Sequence, residues 1–278
     1  MTRAVRDHTR RIVMMVGLSL LLDIELSHSA QAEDCRWGEG VGRVAADVLT
    51  TAEARQLALR QARSAAIADA LGVEITSATL VRDYMLAADF VRTLVKGYVK
   101  REQVVRWDQD RYQPAPKDSP IPILRVILRA CVAPVAEKRD PGFGLKATLN
   151  KPVFTPGEKA KLEVNSTRPA HVTIFNLTDD DKVRLYGGAA MGLPLQVLPG
   201  TPGRFPPPGV SLVMELPPGQ TRASEAFIIV ATRTEDRIRL PMAANPDGLL
   251  PLADFYDRLS VVQADIIEEV VPYAIIGR

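Results

Sequence analysis

Over residues 36–45 the chain alternates, with Gly38, Gly40 and Gly42 on one side and bulkier residues on the other, which reads as a strand with one nearly bare face. The pattern changes after Thr50. Ala54, Leu57, Ala58, Ala62, Ala65 and Ala68 recur at helical spacing, while Gln56, Arg60 and Arg63 lie opposite. Thr50 and Glu53 are spaced as a capping box, and Gly72 stands where such a helix would stop. An alanine-lined helix and a glycine-lined strand suit each other, because small residues on both sides permit a short separation. Residues 73–81 alternate as a second strand, and 85–95 read as a shorter helix ending at Gly97. Segments 98–108 and 122–132 then predict a strand pair joined by a proline-rich loop. The order is β-α-β-α-β-β, an α+β domain.

Beyond this point the patterning is that of short strands. All 21 prolines lie at Pro114 or later, which separates a helix-bearing region from one of strands and turns. Residues 134–143, with Pro134, Pro141 and Gly142, are the natural linker. Alternating stretches at 144–150, 159–165, 170–177, 183–186, 210–216 and 226–232 are divided by turn-forming runs at 155–158, 178–182 and 217–219. A helix over 252–259 and a strand over 269–276 complete the prediction of a mainly-β, immunoglobulin-like sandwich over 144–278. The 22 residues 187–208 form a long irregular stretch with several prolines. They are expected to expose Met191, Leu193, Leu195, Val197 and Leu198 as a partner-docking loop. A loop folded back over the sandwich is the alternative.

The start of the chain reads as an address. Arg3, Arg6, Arg10 and Arg11 precede an apolar run at 12–22 whose length, about 16 Å as a helix, is roughly half a hydrocarbon core. Ala30-Gln31-Ala32 is a small-x-small cleavage site, so 1–32 is predicted to be a signal peptide, with an uncleaved anchor as the alternative. No second long apolar run follows, so no transmembrane segment is expected in the mature chain. Cys35 and Cys131 are the only cysteines and both lie in the mature part. An exported chain with an even pair predicts a disulfide, here closing roughly 100 residues of chain; two unconnected buried thiols are the alternative. The expected location is the periplasm.

Charge and composition mostly exclude. Lys and Arg total 35 against 33 Asp and Glu, so there is no global basic field for nucleic acid. Aromatic residues make up 5% of the chain, too few to favour a base-stacking platform. Once 1–32 is removed, His171 is the sole histidine, too little for a zinc site or, with no Gly-x-Ser-x-Gly elbow, for a serine triad. Gly38-x-Gly40-x-Gly42 departs from a dinucleotide fingerprint in its spacing and in lacking a helix directly after it. Asp179-Asp180-Asp181 reads as a solvated hairpin turn; it lacks the alternating Asp-x-Asp ligand pattern of a calcium loop. Lys96, Lys100, Arg101 and Arg106 make a local basic patch, read as a solvated strand face, with a face toward anionic lipid or peptidoglycan as the alternative. No cofactor or metal is expected.

Glu39-Gly-Val-Gly, the helix Ala54-Arg-Gln-Leu-Ala-Leu-Arg-Gln-Ala62 and Gly72-Val-Glu-Ile-Thr-Ser77 together resemble the N-terminal domain of flagellar assembly protein T and of related small envelope lipoproteins. The resemblance covers about 36–132 and implies a periplasmic, non-catalytic envelope module. Residues 145–154, 169–177, the acidic turn and Leu216-Pro-Pro-Gly-Gln-Thr221 are similar to an uncharacterised immunoglobulin-like domain of bacterial secreted proteins. Kinase or caspase-like regions sometimes joined to that domain do not transfer, since their signatures are missing here. The expected function is a non-catalytic binding or scaffolding protein with envelope protein partners, organised as 1–32, 33–133, 134–143 and 144–278. A flagellar or other envelope-assembly accessory is the alternative, and a hydrolase using His171 comes third.

Overall fold

The structure is a computed structural model and describes residues 35–73, 96–113, 115–135, 140–234, 248–261 and 266–277. The expected leader 1–32, most of the strand over 73–81 and the helix over 85–95 lie outside the described residues, as does the middle of the linker. The fold is rich in β-structure, in several sheets. The described residues all belong to one compact unit.

Strand β1 (Arg36–Ala45) is followed by helix α1 (Thr51–Leu71), and then by the long hairpin of β2 (Gly97–Tyr112) and β3 (Ile121–Pro134). The three strands make an antiparallel sheet in the order β1-β3-β2. The helix begins where the capping box predicts. The Thr50 hydroxyl accepts from Glu53 N at 3.2 Å and the Glu53 carboxylate accepts from Thr50 N at 2.8 Å, satisfying two orphan donors reciprocally. It ends at Gly72, whose φ of +65° is the left-handed conformation that glycine adopts without strain.

The glycine strand and the alanine helix are in contact. A Cβ added at Gly38, Gly40 or Gly42 would overlap the backbone of Ala66, Ala62 or Ala58, respectively. The buried row of α1 is therefore Ala54, Ala58, Ala62 and Ala66, with Leu57 and Ile67 beside it. Ala65 and Ala68 were expected in this row but are only half-buried, because the row facing the strand steps by four residues. Leu124, Val126, Leu128, Ala130 and Val132 of β3 complete this core. The helix also covers the outer edge of β1, where Gln61 and Asp69 accept from the Arg43 and Glu39 amides at 2.6 and 2.9 Å.

The second part holds β4 (Leu145–Leu149), β5 (Val153–Phe154), β6 (Lys159–Ala160), β7 (Leu162–Ser166), β8 (Ala170–Leu177), β9 (Lys182–Gly187), β10 (Leu195–Val197), β11 (Gly203–Phe205), β12 (Leu212–Val213) and β13 (Arg222–Thr232). β14 (Leu249–Pro251), α2 (Leu252–Val261) and β15 (Ile266–Ile276) follow. A seven-stranded sheet runs β14-β9-β8-β13-β15-β5, with β10 also beside β8. One face packs on the smaller sheets β11-β7-β4 and β12-β6 through Phe154, Leu162, Val164, Ile174, Phe227 and Ile275. The other face carries Phe175, Leu177, Ile228 and Val230, and is covered by Phe255, Tyr256 and Leu259 of α2 together with Tyr98 and Ala133 of the hairpin. β13 lies at the middle and is buried on both faces, which is why its sequence is an almost continuous apolar run rather than an alternation. The tail helix and strand form where expected, β15 pairing with β13 along its whole length. The predicted strand over 210–216 contracts to the two residues of β12.

Candidate functional site

Among the described residues, an extended assembly of polar side chains lies between α1 and the seven-stranded sheet. Glu53, Gln56, Arg60 and Arg63 follow one another at spacings of three, four and three residues and so form one stripe along α1. This stripe meets the β8–β9 turn and the entry to β13. The turn is held by Thr178 N donating to Lys182 O at 2.8 Å and by Asp181 at φ +57°, a conformation that aspartate tolerates better than most residues.

Arg60 is the centre, with a relative exposure of 2%. Its Nε donates to Asp181 Oδ1 at 2.9 Å, Nη2 to Thr178 O at 2.9 Å, and Nη1 to Ser224 O and, at 3.5 Å, to Asp179 Oδ1. Asp179 also accepts from Ser224 N at 2.9 Å. Arg63 bridges Asp181 to Glu102 of β2, taking the latter through two parallel bonds of 2.7 and 2.6 Å. Gln56 donates to Asp179 O at 2.8 Å and to Asp181 Oδ2 at 3.3 Å. Glu53 reaches the far end of the junction, where its Oε1 accepts from Thr221 N, Thr221 Oγ1 and Arg222 N at 2.9, 2.8 and 3.1 Å.

The carboxylates feel this environment in opposite directions. Burial alone would raise Glu53, but its bonds from Thr50 and Thr221 outweigh it and bring the pKa down to about 2. Burial raises Asp179, helped by the charges of Asp181 and Asp180, against the pull of Arg60 and Ser224 N–H. One layer deeper, Glu225 is raised chiefly by burial; its Oε2 lies 2.6 Å from Tyr273 Oη and 2.7 Å from Asn176 Nδ2. The junction's charged groups are thus directed at one another, and the arrangement is suited to locking two elements together.

Two expectations change here. Asp179-Asp180-Asp181 is not a solvated turn as a whole: Asp179 and Asp181 are drawn under α1 by Arg60 and Arg63, and Asp180 alone of the three is exposed, beside Lys182. The residues read as opposite the buried face of α1 are themselves covered. Charge complementarity was the signal available for this: a Glu-Gln-Arg-Arg stripe in one segment and a triple aspartate in another. Nothing in either segment alone states that they meet.

Cys35 and Cys131 form the expected disulfide, with Cα atoms 5.3 Å apart, tying the start of β1 to the end of β3. The 187–208 stretch is more ordered than an exposed loop. β10 pairs with β8 and β11 with β7, Gly188 and Leu193 bridge, and a 3₁₀ turn spans Ala189–Met191. The expected exposure of all five apolar residues is corrected accordingly. Val197 is fully buried, and Leu193 and Leu195 pack on the sheet core, because an apolar strand beside β8 continues that core. Met191 and Leu198 stay about half exposed, at 50% and 55%. His171 is half-buried on β8, with Gln196 and Thr232 as cross-strand neighbours, neither a serine nor a carboxylate. Lys100 pairs with Asp257 of α2 at 3.1 Å and Arg106 with Asp108 at 2.9 Å. Among the described residues no group of three His, Cys, Asp or Glu side chains is placed to hold a metal ion, and no helix is long and apolar enough to cross a membrane. No protein-family model matches the chain, and no curated protein matches it.

Proposed function

We propose that this chain is a non-catalytic binding or scaffolding protein of the bacterial cell envelope, exported through a cleaved leader over 1–32 and resident in the periplasm. The observation that carries the reading is the junction of α1 with the seven-stranded sheet. A scaffold must hold its binding surfaces at fixed separation, and the network of Glu53, Gln56, Arg60, Arg63, Asp179 and Asp181 does so between sequence regions more than 100 residues apart. The Cys35–Cys131 disulfide adds support, since such bonds persist in oxidising compartments. In this reading 33–133 is an α+β envelope module and 144–278 an immunoglobulin-like sandwich, in line with the resemblances of both segments. A role as a flagellar or other envelope-assembly accessory is the same reading with its partner named.

The test is in-cell crosslinking of the tagged full chain, followed by mass spectrometry of the envelope fraction. A reproducible envelope complex is expected, with processing near residue 32 and oxidised cysteines. Recovery of the chain unprocessed and reduced in the cytoplasm would sink the localisation. Recovery from the periplasm without any crosslinked protein would sink the scaffold.

A further inference from the structure

The register of β1, β3 and β2 fixes which side chains share the sheet face turned away from α1. From one end to the other the rows are Trp37–Cys131–Arg101, Glu39–Arg129–Gln103, Val41–Ile127–Arg106, Arg43–Arg125–Asp108 and Ala45–Ile123–Asp110. These positions alternate with those buried beneath the helix, so they stand on the opposite face. The preceding row is covered: Tyr98 stacks on Tyr256 of α2 at 5.1 Å and donates to Asp257 at 2.7 Å. Past it the face opens. Trp37 is 42% exposed, and Val41, Arg43, Arg101, Arg106 and Arg129 are exposed with it.

Three features of this face point to an anionic occupant. Arg101 and Arg129 flank the Trp37 indole, with guanidinium carbons 5.8 and 5.6 Å from its ring centre. Arg101 also donates through Nη2 to the sulfurs of Cys131 and Cys35, at 3.7 and 3.9 Å, so it is the exposed Arg129 that presents its N–H fork toward an oxyanion. Arg43 and Arg125 are direct cross-strand partners, a like-charge pairing that is unfavourable until negative charge is supplied. Asp108 supplies some from the β2 side, at 2.9 Å from Arg106 and 3.7 Å from Arg125, and Arg43 lies at the other edge. Finally, five arginines share the face with three carboxylates, although the whole chain is nearly neutral at +2.

The apolar residues decide the kind of anion. Trp37, Val41, Ile127 and Ile123 are interleaved with the arginines on an open, extended sheet. Indole and aliphatic groups beside guanidinium groups match the boundary between phosphate headgroups and acyl chains, where both kinds of contact are satisfied at once. We infer that this sheet face docks on a bilayer surface displaying anionic phospholipid headgroups. The inference stands on the register, exposure and charge of this face and holds whichever compartment the protein occupies.

The experiment uses the full chain carrying Trp107→Phe, which leaves Trp37 as its one tryptophan. It is mixed with vesicles of phosphatidylcholine, with or without one third phosphatidylglycerol. Co-flotation and a blue shift of Trp37 emission are expected with the anionic vesicles, and both should disappear near about 1 M salt, where charge is screened within about 3 Å. Each arginine near an anionic surface contributes about fivefold, so Arg43→Gln with Arg129→Gln should weaken partitioning about 25-fold. Arg204→Gln, at a side chain 82% exposed on β11, should leave it unchanged. Equal flotation of the double variant and its parent would overturn the inference, because it would assign binding to the apolar run over 12–22 that both share. Flotation without a Trp37 shift would overturn it by moving the contact to another face. Equal competition by heparin or DNA would replace lipid with a soluble polyanion.

Discussion

Arg60→Met tests the junction most directly. Methionine keeps an unbranched apolar stem of similar reach and removes the guanidinium that serves Asp179, Asp181, Thr178 O and Ser224 O. Arg60 is 2% exposed, so water cannot take over those acceptors without opening the interface. Removing one partner of a buried ion pair costs about 3–5 kcal/mol, which is a large part of the roughly 5–15 kcal/mol that holds an ordinary domain together. The individual bonds are not summed, because they share one charged group and its desolvation. Urea unfolding followed by circular dichroism should show the midpoint falling without a change in slope. Asp179→Asn separates charge from shape. Asp179 already resists ionisation through burial, so neutralising it in the Arg60→Met background should recover about 1–3 kcal/mol of the loss. Arg60→Lys should recover little, since an ammonium cannot serve acceptors placed around a planar fork. A stability within about 0.5 kcal/mol of the parent for Arg60→Met, or a cycle with no coupling, would refute the claim that this network holds the two parts together.

Glu53 has its pKa depressed to about 2, so its contribution is present above about 4.5 and is lost as pH falls from there toward 2. Glu53→Gln should lower stability at pH 7 and remove that part of the acid limb, read as melting temperature against pH; parallel curves for variant and parent would contradict the assignment. Gly40→Ala should cost about 2 kcal/mol by driving a methyl group into the Ala62 backbone. Gly72→Ala should cost about 1–2 kcal/mol for a different reason, its positive φ, with open space around it; denaturant titration that finds Gly40→Ala stabilising would mean the strand and helix are not in contact. Replacing Cys35 and Cys131 together by serine should cost up to about 4–5 kcal/mol, from loop-closure entropy over a separation of 96 residues. Calorimetry with and without reductant checks this, since a parent indifferent to reductant would show that the bridge adds no stability.

Local rules carried much of this architecture. The Thr50–Glu53 box and Gly72 delimit α1 because capping depends on backbone groups within a few residues. Gly38, Gly40 and Gly42 announced a close neighbour, and the alanine row supplied it, because the missing side chains on one element have to be matched by small ones on another. The junction was harder to read. Arg60 on an exposed-looking helical face and Asp179 in a turn-like run each have an ordinary solvated explanation, and only the tertiary arrangement decides against it. Val197 shows the same limit from the apolar side. Prolines flanking its segment suggested irregular structure, whereas pairing with Ala170 in β8 buries it completely. The rows of the outer sheet face were out of reach as well, because they depend on β3 standing between β1 and β2 and on two bulges in β2.

The buried polar groups also set opposing responses to pH. Tyr273 Oη lies 2.6 Å from Glu225 Oε2 and 2.7 Å from Asn176 Oδ1, and a single hydroxyl proton cannot serve both oxygens. The hydroxyl donates to Glu225 Oε2 or to Asn176 Oδ1, and Asn176 Nδ2 donates to the same Glu225 oxygen, so the bonds at Glu225 favour its carboxylate. Burial acts the other way and is the larger effect, so Glu225 is raised. A carboxyl raised in the folded state contributes stability that is lost as pH climbs through its folded pKa, and Asp179 has the same sign. Glu53 has the opposite sign, losing its contribution toward acid. Both limbs meet at one place, since Arg60 contacts Asp179 and acts on Glu225 through its charge. At the junction, then, acidification weakens the contribution of Glu53, while rising pH weakens those of Glu225 and Asp179.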